Sequence, residues 1–237
     1  MPQEVRLLVS MNGIRGIVFD LDDTLYPQVE YKRSGFKIVA HWATVHLGLD
    51  YGECLEQLER ILRQKGPSYH HMFDDLISHF GLDQEIVPEM VRVFVDHAPQ
   101  IACYPKVPAM LNRLGCTFRL GILTDGPVTV QQCKIASLKL ERHVDLILYS
   151  DSLSLEKPEP ALFAWFEQQF NLPGTSLVYV GDNPAKDFIG ARSRRWMTIR
   201  VLTGEHADVD VLPDYEADLT KSLVTDVESW VWSQRAE

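Results

Sequence analysis

Three carboxylates crowd into Gly16-Ile17-Val18-Phe19-Asp20-Leu21-Asp22-Asp23-Thr24, where an apolar run ends abruptly in acids. Such a run reads as a buried strand delivering its acids to one tip. Ionised groups this close raise one another's pKa unless a cation or hydrogen-bond donors compensate. A divalent cation is the simplest compensation. Magnesium suits a strand end, because it binds through one or two carboxylates and leaves positions for water and phosphate oxygens. On this segment alone an acidic turn after a core strand is the alternative, since Asp, Thr and Gly also mark turns.

Three later apolar runs end in polar groups of the kind phosphoryl chemistry needs. Leu120-Gly121-Ile122-Leu123 ends in Thr124-Asp125-Gly126, and Val144-Asp145-Leu146-Ile147-Leu148 leads through Ser150 and Asp151 to Lys157-Pro158. Leu177-Val178-Tyr179-Val180 ends in Gly181-Asp182-Asn183-Pro184-Ala185-Lys186-Asp187. With Asp-x-Asp-x-Thr, Thr, Lys and Gly-Asp-x-x-x-x-Asp in this order, the chain resembles the haloacid dehalogenase superfamily, in its phosphatase branch with a helical C1-type cap. The motifs span Asp20 to Asp187, most of the chain.

The resemblance implies a role for each motif residue. Asp20 is the nucleophile, forming an aspartyl-phosphate that water hydrolyses, and Asp22 is the general acid and base. Magnesium is held by Asp20, the backbone carbonyl of Asp22 and Asp182. Thr124, Asp125, Gly126 and Lys157 bind the phosphoryl group, Thr124 through its hydroxyl and Lys157 through its charge. Asp187 supports Lys157 and the metal's water rather than the metal itself. Asp125 departs from the commonest family pattern, which has Asn there. An ionised carboxylate repels phosphate, so its side chain is expected to turn toward loop amides or the cap. The implied activity is a magnesium-dependent phosphomonoesterase acting on a small phosphorylated metabolite, a sugar phosphate or a nucleoside monophosphate. A phosphomutase also uses the aspartate pair, and a receiver-like module would accept phosphate without turnover. Both stay open as alternatives.

The elements that must position these groups are legible in outline. Repeated strand-helix units imply a Rossmann-like α/β fold, a parallel sheet with helices on both faces. Helices are predicted over 107–114, 128–138, 161–170 and 185–194, with a fifth strand over 198–202. Each motif then lies at a carboxyl end of a strand, where such sheets bind ligands. Four helical stripes interrupt the alternation: Phe36, Val39, Ala40, Ala43 and Leu47; Leu55, Leu58, Ile61 and Leu62; Phe73, Leu76, Ile77 and Phe80; Met90, Val91, Phe94 and Val95. Residues 27–103 are therefore expected to form the helical cap, and 1–26 with 104–237 the catalytic core. Leu219, Leu223, Val227 and Trp230 suggest a final docking helix, and 233–237 a frayed end. In the cap, Tyr26, Lys32, Arg33 and His71 are read as solvated, though within reach of a leaving group. Trp165, Phe166 and Phe170 read as core, and the histidines complete no zinc motif.

Composition excludes other classes of partner. The 237 residues are 46% hydrophobic and 24% charged, as in an ordinary globular protein, with net charge −10 and no basic block. A nucleic-acid polyanion is disfavoured. Cys54, Cys103, Cys116 and Cys133 form no Cys-x-x-Cys pair, so reduced thiols and a cytoplasmic location are expected. Leu7-Leu8-Val9 is too short for a signal core, and no run approaches the ~18 apolar residues of a membrane span. Oligomeric state is not legible.

Overall fold

Six short apolar runs form one parallel sheet in the computed structural model, which describes residues 13–233. The Leu7-Leu8-Val9 patch and 234–237 lie outside the described residues. The strands are β1 (Gly16–Phe19), β2 (Arg119–Thr124), β3 (Leu146–Tyr149), β4 (Leu177–Gly181), β5 (Met197–Val201) and β6 (Leu219–Lys221), in the spatial order β3-β2-β1-β4-β5-β6. Both central strands, β1 and β4, are buried at every position. That is why they read as unbroken apolar runs: helices cover both faces of the sheet. Gly121 in β2 permits one of these contacts, since a Cβ there would stand 2.6 Å from Cε1 of Phe166.

Between β1 and β2 the chain forms α1 (Gln28–Leu47), α2 (Tyr51–Lys65), α3 (Met72–Phe80) and α4 (Val87–Val95), followed by α5 (Val107–Gly115). The four stripes supply the apolar faces on which α1 to α4 pack, with Phe36, Leu58, Leu76 and Met90 fully buried. Val91 departs from its stripe and is exposed. The remaining helices are α6 (Val128–Leu138), α7 (Pro160–Phe170), α8 (Pro184–Asp187), α9 (Ile189–Ser193) and α10 (Val224–Ser233).

Two predicted elements differ from the structure. The helix expected over 185–194 is broken at Phe188, whose fully buried ring sits between α8 and α9. The segment read as one docking helix begins as a strand: Leu219 lies in β6, paired to Ile199, and Leu223 is exposed ahead of α10. Asp218 explains the change. Its carboxylate accepts the amide of Thr198 at 2.8 Å and the Thr198 hydroxyl at 2.9 Å, which fastens this extended stretch to β5. Three residues are too few to display a period of two.

Chain order places β1 beside both β2 and β4, so the connections diverge to opposite sides of β1. A crevice opens beyond the carboxyl ends at such a point. The loops after β1, β2 and β4 meet there.

Candidate active site

The tip of β1 is rigid where its first acid emerges. The Asp20 amide donates to the Val180 carbonyl at 2.8 Å, so the sheet ladder continues through this residue. The chain then reverses at Asp23, whose φ of 54° is left-handed, a conformation Asp tolerates better than most residues. The Asp23 carboxylate accepts the amide of Gln28 at 2.8 Å and that of Glu205 at 3.2 Å. The third acid of the cluster thus fastens the start of α1 and a distant loop, while Asp20 and Asp22 are aimed by the turn it holds.

Lys157 reaches Asp20 from the loop before α7. Its ammonium donates to Asp20 Oδ1, to Asp187 Oδ1 at 2.8 Å and to the Tyr179 hydroxyl at 3.2 Å. Burial alone would lower the lysine, but the carboxylates of Asp187 and Asp20 hold it well above its ordinary range. Asp187 also accepts the Asn183 amide at 2.8 Å. It is fully buried and saturated by donors, the arrangement of a support for Lys157.

Asp182, just beyond the last residue of β4, is different. Thr24 Oγ1 lies 3.4 Å from its Oδ1 and 3.4 Å from Asp20 Oδ2, and among the described residues no Lys or Arg forms an ion pair with it. Burial, then the charges of Asp187 and Asp20, push its carboxyl far above the ordinary range. Burial raises Asp20 as well, with Lys157 pulling against it. One oxygen from each of Asp20, Asp182 and Asp187 lies within 4.8 Å of the others. A buried carboxylate without a cation fits a divalent metal, which would supply the missing charge.

Asp22 is held by Lys134, which motif reading missed, and by Tyr26. Both of its oxygens accept from the Lys134 ammonium, at 2.7 and 2.9 Å, and Oδ1 also accepts from the Tyr26 hydroxyl. Tyr26 is fully buried, not solvated as expected. Lys134 lies on α6 and is only 3% exposed. A signal for it exists in the sequence: Gln131 and Lys134 fall inside the stripe Val130, Ile135 and Leu138, where a helix faces its core. Gln131 serves the site too, accepting from the Thr124 hydroxyl at 3.1 Å.

Arg33, partly exposed, pairs with Glu30 and Glu59, and the exposed His71 ring lies 3.5 Å from the Asp74 carboxylate. Lys32 instead lines the cleft above the acids, about 650 Å³ in volume, together with Asp20, Asp22, Thr124, Lys157 and Asp182.

The Asp125 side chain turns toward a loop amide. Its oxygens accept the Lys157 backbone amide at 3.2 and 3.3 Å, with the Lys186 ammonium 3.5 Å away. Gly126, at φ 114°, bends the loop beside it. An amide oxygen can accept that same bond. Asp125→Asn is therefore expected to change kcat/KM by less than about fivefold, ~1 kcal/mol. A loss of turnover in folded protein would give the carboxylate a direct role.

A family model described as haloacid dehalogenase-like hydrolase matches residues 17–201. The chain belongs to this family. A relative from Methanopyrus kandleri, named glyceraldehyde 3-phosphate phosphatase, is 28% identical over 224 residues, covering 89% of this chain and 96% of its own. Its namesake from Methanocaldococcus jannaschii is 29% identical over 220 residues, with the same coverage of 89% and 96%. A phosphoserine phosphatase from Thermus thermophilus is 30% identical over 138 residues, 57% of this chain and 55% of that one. These relatives place the chain, a hydrolase, in the phosphatase branch of the family. The fold is shared with a 2-haloacid dehalogenase from Pseudomonas syringae, at 24% identity and a TM-score of 0.63 over 94% of this chain and 99% of the other. It is shared also with a haloacid dehalogenase-type phosphatase from Thermococcus onnurineus, at 21% identity and a TM-score of 0.60 over 92% and 98%.

Proposed function

We propose that this hydrolase is a magnesium-dependent phosphomonoesterase acting on a small phosphorylated metabolite through an aspartyl-phosphate on Asp20, with residues 27–103 as a cap over the site. One observation carries the reading. Asp20 stands at a buried strand end in contact with Lys157, beside an Asp182 carboxylate that no protein cation pairs among the described residues.

In this reading Asp20 attacks phosphorus in line, and the bond from phosphorus to the leaving oxygen breaks as the new one forms. The Lys157 ammonium and Thr124 hydroxyl face the oxygens on which charge collects. Asp22 gives a proton to the leaving oxygen, then takes one from the water that opens the aspartyl-phosphate. Its present partners are Lys134 and Tyr26, so reaching the leaving oxygen requires an exchange of partners. Asp20, Asp182 and the Asp22 carbonyl would hold magnesium, which screens an anionic nucleophile from an anionic phosphate. Repeated turnover of p-nitrophenyl phosphate with magnesium tests the proposal, and a single phosphorylation without turnover would favour the receiver-like alternative. The names of the relatives favour three-carbon phosphate esters over nucleoside monophosphates.

Metal binding should also be visible in stability. Without metal, the raised carboxyls of Asp20 and Asp182 keep protons that the unfolded chain releases near pH 4, so folded stability falls as pH rises above that value. Magnesium displaces those protons and is expected to raise the melting temperature more at pH 8 than at pH 6. At a hundredfold excess over Kd the gain is about 2.7 kcal/mol. Asp182→Asn should abolish the shift, and an undiminished shift in that variant would remove Asp182 from the metal site. Calcium, which prefers more ligands and looser geometry, should bind yet inhibit.

A further inference from the structure

Among the described residues, one lysine that lines the cleft forms no ion pair. Lys134 is paired with Asp22, Lys157 with Asp20 and Asp187, and Lys186 with Asp125. Lys32 lines the same cleft, and among the described residues it has no ion-pair partner. Its ammonium instead stands 5.5 Å from the centre of the Phe94 ring. The other side chains that α1 to α4 bring to the cleft include Tyr31, Phe36, Met72, Phe73 and Phe94. Among the described residues, Lys32 is the lysine that projects from this largely apolar wall.

That cation is under electrostatic pressure. Burial and the neighbouring Lys134 ammonium both push Lys32 below its ordinary range, and the charges of Asp22 and Glu205 only partly oppose this. Neither acid forms an ion pair with it: Asp22 is engaged by Lys134 through both oxygens, and Glu205 accepts from the Ser68 hydroxyl. A partly buried ammonium gains from an anion brought beside it as water is excluded. In the proposed reaction the phosphoryl group is answered by Thr124 and Lys157, which leaves Lys32 for a second anion.

We propose that Lys32 is a specificity-determining residue that binds a second anionic group on the leaving group, so that the substrate is a phosphomonoester carrying a carboxylate or a further phosphate. This rests on the phosphomonoesterase reading above and narrows it. The short carbon chain between the two anions would pack on the aromatic wall, and a neutral polyol would leave Lys32 without an ion-pair partner. Recognition of this kind acts on the ground state and the transition state alike, so it is expressed in KM.

The test compares kcat/KM for phosphoglycolate, a sugar bisphosphate and glycerol phosphate in the wild-type protein and in Lys32→Met, Lys32→Arg and Arg33→Met. Methionine keeps most of the aliphatic stem against Phe94, and the melting temperature of each variant is measured alongside. Wild type should prefer a substrate with a second anion over glycerol phosphate. Lys32→Met should lower that preference at least about tenfold, through KM, with Lys32→Arg retaining most of it. Arg33→Met, one residue away but paired on the surface, should leave the preference as it is. A loss on phosphoglycolate assigns a carboxylate, and a loss confined to the bisphosphate assigns a second phosphate. Either supports the inference. An unchanged preference in Lys32→Met overturns it, as does an equal loss on all three substrates with a lowered melting temperature, which would make Lys32 a structural partner of Asp22 and Glu205. Absence of magnesium-dependent turnover on every substrate, p-nitrophenyl phosphate included, overturns the phosphatase reading and this inference with it.

Discussion

Asp20→Asn is expected to lower turnover of any phosphomonoester at least about 10³-fold, ~4 kcal/mol of transition-state stabilisation, while the protein stays folded. The amide is nearly isosteric with the carboxylate but cannot form the acyl phosphate. Folding should tolerate the change because burial already disfavours the charged form of Asp20, and Lys157 keeps Asp187 as a partner at 2.8 Å. Quench experiments with labelled substrate should find no phosphate attached to the variant. If correctly folded Asp20→Asn protein retained a large fraction of wild-type turnover, the nucleophile would have to be sought elsewhere in the cleft.

Lys157→Met is expected to damage both activity and stability. The ammonium is 5% exposed at its side chain and serves two carboxylates, of which Asp20 is 8% and Asp187 0% exposed. Removing one member of a buried ionic cluster typically costs about 3–5 kcal/mol, because the partners are left charged and desolvated. Turnover should fall about 10³-fold or more, since both the phosphoryl oxygens and the nucleophile lose their counter-charge. The stability loss has a definite pH dependence. Asp20 is a carboxyl already raised by burial, and without Lys157 it is raised further. Its protonated form is tolerated near pH 5, so the part of the loss that belongs to Asp20 should be small there and grow toward pH 8. Adding Asp20→Asn to Lys157→Met should recover part of the stability and none of the activity. A melting temperature in Lys157→Met that is unchanged across this pH range would show that the buried cluster is not held by the charge assigned to it.

Residues whose setting is local were legible. An apolar run closed by Asp20, Thr124 or Asp182 signals a strand end, because a buried strand must stop where its polar groups meet the crevice. Helical stripes such as Phe36, Val39, Ala40 and Ala43 announced the insertion for the same reason: period and burial are properties of neighbouring residues. The short edge strand β6 was not legible, since three residues carry no usable period and the decisive contact, Asp218 to Thr198, spans 20 positions. Tyr26 reads from the sequence as solvated, and only packing shows it fully buried against Asp22.

The chain alone thus determined the order of the elements, the kinds of group at the strand ends and the phosphoryl chemistry those groups suit, because each depends on runs a few residues long. Tertiary structure alone decided which charges answer which. Lys134 meets Asp22 across 112 residues, Lys157 meets Asp20 across 137, and Lys32 is left without an ion-pair partner among the described residues although Glu30 stands two positions away in the sequence. Pairing of buried charges depends on distance in space and on the water excluded around them, and neither quantity is written in sequence spacing.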